Sequence, residues 1–208
     1  MNINELTEEE QLKVIDHEFW TYSAIINPSK AVQLAAVCQH GMLIRLIDTP
    51  DEELQVAAVT QNGMAIQFIK NPTEAAQMAA VRQNGYAIQY IDNPAEEVQV
   101  AAVRQDISVY VVTARGHVLQ HIKRPSEEVQ LAAVRHFGDA IVHIEDPSET
   151  IQLAAVRSYP SAIRYIPNPS SEVQFAAVKL TPGVIKYIKR PSDELRAYAD
   201  LMKLGKNP

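Results

Sequence analysis

Five cations recur at one fixed place in the chain: Arg82, Arg104, Arg135, Arg157 and Lys179 each follow an Ala-Ala-Val triplet, and Thr60 and Cys38 fill the same place earlier. Arginine suits bidentate recognition of carboxylate or phosphate. Set in a column, these side chains can meet an acidic partner or a nucleic-acid backbone. The competing account is local: a cation in a helix's last turn complements the dipole and can pair with a neighbouring glutamate. A second column, Gln33, Gln55, Gln77, Gln99, Gln130, Gln152 and Gln174, holds one residue type throughout. An amide both donates and accepts, so the favoured role is structural, an inter-repeat hydrogen bond to a neighbouring turn, with a polar recognition ladder as the alternative. Four histidines, His117, His121, His136 and His143, cluster in the second half, and the first two stand four apart, as zinc ligands on one helix face often do. His121 and His143, however, occupy the place held elsewhere by Leu46, Phe68, Tyr90, Tyr165 and Tyr187, which reads as a column of packed rings. No metal site is assigned. The sequence offers no phosphate-cradling glycine loop, no nucleophile elbow and no HExxH, so no catalytic residue and no cofactor is assigned either.

These columns exist because the sequence repeats. A proline recurs at Pro28, Pro50, Pro72 and Pro94, then at Pro125, Pro147, Pro169 and Pro191, and every interval is 22 residues except the central one of 31. After the proline comes Ser29, Asp51, Thr73, Ser126, Ser148, Ser170 or Ser192, with Ala95 departing, and these side chains can accept a bond from the free N–H groups of a helix's first turn. Acids follow at once, as at Glu52, Glu53, Glu96 and Glu97, where the dipole favours them. Apolar residues then cover most of the circumference, as at Val98, Val100, Ala101, Ala102 and Val103, so each helix must be covered on both sides. Gly41, Gly63, Gly85, Gly116 and Gly138 are expected to end the helix in a left-handed conformation, and Pro160 and Pro182 to perform the stop later. What remains, such as AIQYI, is a short second helix, in part 3-10.

The spacing therefore predicts an all-α chain, an α-solenoid of about seven 22-residue repeats, each an α-helix, a turn and a short second helix. The Ala-Ala pairs, such as Ala79-Ala80, let neighbouring helices approach closely. A leucine-rich β/α horseshoe is the competing fold, disfavoured because its leucine ladder is absent. The predicted layout is one domain: a degenerate cap at 6–27, regular repeats at 28–103, a break at 104–116, regular repeats at 117–190 and a second cap at 191–208. In the first cap, Thr7 and Glu10 form a capping box, and Phe19 and Trp20 are read as replacing the small central residues. The break holds Tyr110 and Arg115, candidate binding residues, because irregular segments in regular arrays are where binding loops tend to sit.

Bulk properties narrow the classes. The formal net charge of −6 argues against a surface that is everywhere an electrostatic trap for nucleic acid. The acidic start MNINELTEEEQ is unlike a secretory signal, and no apolar run reaches a membrane span, so a cytoplasmic location and no membrane partner are expected. A single cysteine, Cys38, excludes an intramolecular disulfide.

The motif AAVRQNGYAIQYI, from Ala79 to Ile91, resembles the repeat family DUF4116, and the proline, acid and V-x-x-A-V half resembles the leucine-rich variant repeats, which alternate α and 3-10 helices. The resemblance covers nearly the whole chain and implies a right-handed superhelix without catalytic residues. The expected function is that of a scaffold binding a protein partner along an extended surface, with nucleic-acid backbone binding, or an inhibitor or decoy role, as alternatives.

Overall fold

A computed structural model describes residues 2–105 and 117–204, excluding the side chain of His117. Tyr110 and Arg115 lie outside the described residues. Nine α-helices run through the described chain: α1 (Glu8–His17), α2 (Lys30–Gln39), α3 (Glu52–Gln61), α4 (Glu74–Gln83), α5 (Glu96–Gln105), α6 (Glu127–His136), α7 (Glu149–Ser158), α8 (Ser171–Leu180) and α9 (Asp193–Lys203). The linking segments are 3-10 helices: Phe19–Ala24, Gly41–Leu46, Gly63–Phe68, Gly85–Tyr90, His117–His121, Gly138–His143, Pro160–Tyr165 and Pro182–Tyr187, with a first turn at Ile3–Glu5. No strand occurs among the described residues, which disposes of the β/α horseshoe.

The chain divides into two compact units, Met1–Gln105 and Asp106–Pro208. Within each unit, successive α-helices pack side by side in one layer and successive 3-10 helices in a second, and an α-helix such as α3 lies against both its own 3-10 helix and that of the preceding repeat. This is the α-solenoid packing that the repeat demands. Helix α5 runs to Gln105, so residues 104 and 105 of the expected break belong to a helix of the same length as its neighbours.

Local chemistry sets the boundaries. Ser29, Asp51, Thr73, Ser126, Ser148, Ser170 and Ser192 each accept a hydrogen bond from the backbone N–H three residues on. Thr7 and Glu10 close the capping box in both directions. Each α-helix of a regular repeat buries three columns of small or branched residues, as at Ala76, Ala80 and Val81, against the alanine and isoleucine of the 3-10 layer, Ala87 and Ile88. Ile44, Ile66, Ile88, Leu119, Ile141 and Ile163 continue that row at no more than 2% exposure. Each such side chain contributes on the order of 1.5–3 kcal/mol by leaving water.

The glycines work differently from the expected left-handed stop. The helix ends instead in an extended residue, with φ of −150° at Asn62, and the glycine opens the 3-10 helix. Non-glycine residues with positive φ are Asn27 and Asn93 alone among those described, and no glycine among Gly41, Gly63 and Gly138 takes a positive φ that would require it. What excludes a side chain is the next repeat: a Cβ at Gly63 would lie 2.5 Å from the Ala80 carbonyl oxygen and 2.8 Å from Gln83 Oε1. At Gly41 and Gly138 a Cβ would run into the carbonyl oxygens of Ala58 and Ala155. The first cap departs at this place, not at the centre of the helix: Phe19 opens its 3-10 helix where the repeats have glycine, and stacks on His40 with ring centroids 5.1 Å apart.

Gly63→Ala is therefore expected to destabilise the chain by about 1–3 kcal/mol through overpacking. Gly183→Ala, where an added Cβ meets nothing within 4 Å, should shift stability by less than about 0.5 kcal/mol. Urea melts of the two variants compare them directly; equal losses would contradict the close-approach account.

Candidate functional site

In each unit the outer face of the α-layer carries part of the cation column, Arg82 and Arg104 in the first and Arg135, Arg157 and Lys179 in the second. Arg82, Arg104, Arg135, Arg157 and Lys179 are all exposed, and none forms an ion pair with a described residue. Pairing with a neighbouring glutamate is thus absent among the described residues, while the dipole half of the local account stands, since each cation lies in the last turn of its helix. Lys30 shows what such pairing looks like: its Nζ lies 2.7 Å from Asp51 and 2.6 Å from Glu53 of the next repeat. Those hydrogen bonds raise the Lys30 ammonium well above its ordinary value, and Lys30, followed by the Leu54 N–H, holds the Asp51 carboxyl below its own.

Beside the cations run the half-buried residues Leu34, Val56, Met78, Leu131, Leu153 and Phe175 and the first alanine of each pair, which faces outward while the second is buried. Helical spacing puts these on one face. Between α6 and α7 they bound a shallow groove of about 340 Å³, lined by Leu131, Arg135, Thr150, Ala154, Arg157 and Ser158. The same groove between α1 and α2, about 430 Å³, is bordered by Glu9, Lys13, Asp16 and Cys38. The charge at equivalent positions therefore changes sign along the chain. Residues 1–105 hold fourteen acids and six Lys or Arg, a balance of −8, whereas residues 106–208 hold eleven and thirteen, a balance of +2.

The glutamine column belongs to the scaffold. Nε2 of Gln33, Gln55, Gln77, Gln99, Gln130, Gln152 and Gln174 donates to the carbonyl of its own repeat's proline, five residues back, at 2.9–3.1 Å. The bond is thus mostly within a repeat and not between repeats; the exception is Gln55, whose Oε1 also accepts from the Thr73 N–H at 2.9 Å. Inter-repeat bonds come from a different glutamine that the sequence reading passed over. Gln61 and Gln83 accept from the Gly41 and Gly63 N–H groups of the preceding repeat, each at 2.7 Å, and Gln61 also donates to the Gln39 carbonyl at 3.2 Å. His136, Ser158 and Leu180 replace them in the second unit, where the cap serines bind backwards instead, Ser148 donating to Glu127 at 3.0 Å and Ser170 to Glu149.

The ring column is packed only in part: Leu46, Phe68, Tyr90, Tyr165 and Tyr187 are 37–45% exposed, so each is partly covered and partly open on the surface of the 3-10 layer. In the repeat from Gly85, Ala87, Ile88 and Ile91 are buried while Tyr90, the last residue of its 3-10 helix, is 41% exposed. His121 and His143 in the same column are half-buried. Among the described residues no group of three His, Cys, Asp or Glu is placed to hold a metal ion, and no helix is long and apolar enough to cross a membrane. Cys38 is exposed. Comparison with protein-family models, curated proteins and solved structures gives no match to this chain.

Replacing Gln152 by Glu sets a carboxylate against the Pro147 carbonyl in place of the amide donor. A cost of about 1–3 kcal/mol is expected at neutral pH. Because the carboxylate has lost favourable contacts, its folded pKa rises above the unfolded one, so stability should recover as pH falls and the carboxyl becomes a donor. Thermal melts from neutral to mildly acidic pH measure this; a loss that deepens with acid would refute the assignment.

Proposed function

We propose that this chain is a non-catalytic scaffold that binds a protein partner along the outer face of its α-layer. The observation that carries this reading is the column Arg82, Arg104, Arg135, Arg157 and Lys179: exposed, without ion-pair partners among the described residues, and flanked by a half-buried apolar row that forms a groove at Arg135 and Arg157. Unpaired arginines beside small apolar hollows are the composition of interface hot spots. Within each unit, neighbouring helices pack about 8–10 Å apart, so the cations of that unit recur at a spacing that an acidic segment lying across its helices can follow. The likeness of the motif to DUF4116 and leucine-rich variant repeats fits a binding role and supplies no catalytic residue. A second reading, binding of a nucleic-acid backbone, draws on the same column and on the positive balance of residues 106–208; the −8 of residues 1–105 disfavours a long polyanion.

The test replaces Arg82, Arg104, Arg135 and Arg157 together by Ser, polar and uncharged like the Thr60 of an earlier repeat. Exposed substitutions of this kind leave the fold intact. Affinity capture from a lysate of the source cells, with the native chain and the variant side by side, should recover a protein that the variant loses. Equal recovery by both would remove the column from the function. Anisotropy titration with duplex and single-stranded DNA at about 50 mM salt decides the second reading, which requires affinity that falls steeply as salt rises.

A further inference from the structure

We propose that the 3-10 layer of the second unit carries a separate docking patch for an acidic, carboxylate-rich protein segment, centred on Arg164. The guanidinium carbon of Arg164 lies 4.6 Å from the centre of the Tyr165 ring and 6.0 Å from that of Tyr187, one repeat further on. Lys186 Nζ lies 5.0 Å from the Tyr187 ring. Both tyrosines are 37% exposed, and Arg164, Lys186, Lys189 and Arg190 are exposed and without ion-pair partners among the described residues. No Asp or Glu occurs from Thr150 to Ser171 or from Val173 to Ser192.

Two rings hold the guanidinium. Less side-chain freedom is then lost when its edge donors engage an oxyanion, and a planar fork fits a carboxylate with two parallel bonds. Tyrosine and arginine are also the residues that concentrate binding energy in protein interfaces. The charge of the patch is complementary to an acidic occupant, and a short acidic segment can be held by the second unit alone, whose residues balance at +2, whereas the −8 of residues 1–105 disfavours a long polyanion. The ring faces point the same way. Base stacking uses a free aromatic face, and here a cation already lies over one face of Tyr165 and others near the ring of Tyr187, where a base would have to compete.

This inference shares with the function proposed above the idea of an acidic protein partner, but it concerns the opposite layer, so the two fail separately. The experiment titrates the full chain with a fluorescein-labelled peptide of roughly 20 residues made of Glu, Asp and Leu, and with an oligothymidine of similar length, at about 50 mM salt. The peptide should bind. Arg164→Gln with Lys186→Gln should weaken it roughly tenfold, and Arg164→Lys, which keeps the charge but loses the fork, roughly threefold. Arg135→Ser with Arg157→Ser, on the outer α face, should leave most of that binding in place. The patch is overturned by peptide affinity that the Arg164 variants do not change, by no binding of the peptide, or by oligothymidine binding more tightly with the same sensitivity to Arg164. If the Arg135 and Arg157 pair abolishes binding while the Arg164 variants do not, the patch fails and the α-face reading stands.

Discussion

Two backbones meet in this fold where a methyl group would not fit. The first residue of a 3-10 helix lies against the carbonyl of the second central alanine in the following repeat, so that a Cβ at Gly63 would come within 2.5 Å of the Ala80 oxygen. A repeat of 22 residues has little chain with which to cover an α-helix that is apolar around most of its surface. Close approach compensates, because small residues at the contact let the branched side chains on either side, Val59 and Ile66 among them, be covered by the next repeat without gaps. The buried alanines, the glycines and the isoleucine row are one device seen from three positions.

That device frees two surfaces. With the second alanine of each pair buried and the first facing out, the α-layer can carry charge at every repeat without exposing its core. The 3-10 layer buries its isoleucine and alanine and leaves Phe68, Tyr90, Tyr165 and Tyr187 partly exposed. The scaffold's own polar needs are met elsewhere: the glutamine column is used by proline carbonyls, and Lys30 is used by Asp51 and Glu53. The side chains left over are the cations of the outer face and the ring and cation pairs of the opposite layer. The two units differ in this respect. The first joins its repeats through Gln61 and Gln83 and is acidic; the second uses Ser148 and Ser170 for the purpose and carries the excess of arginine and lysine.

By itself the sequence determined what depends on neighbours along the chain. Helix starts were legible because a cap acts within three residues, and all seven predicted cap side chains accept the expected bond. The alternation of α and 3-10 segments and the repeat phase were legible because period and punctuation are local signals. Tertiary structure decided everything that depends on which repeat lies next door. Glycine reads identically in sequence whether it is needed for a left-handed turn or for room beside a passing carbonyl, and only the position of Ala80 distinguishes the two at Gly63. An aromatic residue at a fixed place in a repeat looks like core in sequence, and only the packed structure shows Ala87 and Ile88 buried while Tyr90 is 41% exposed. An arginine in a last helical turn can pair with a neighbouring glutamate by sequence alone, and only the packing shows that none of the column cations forms an ion pair with a described residue.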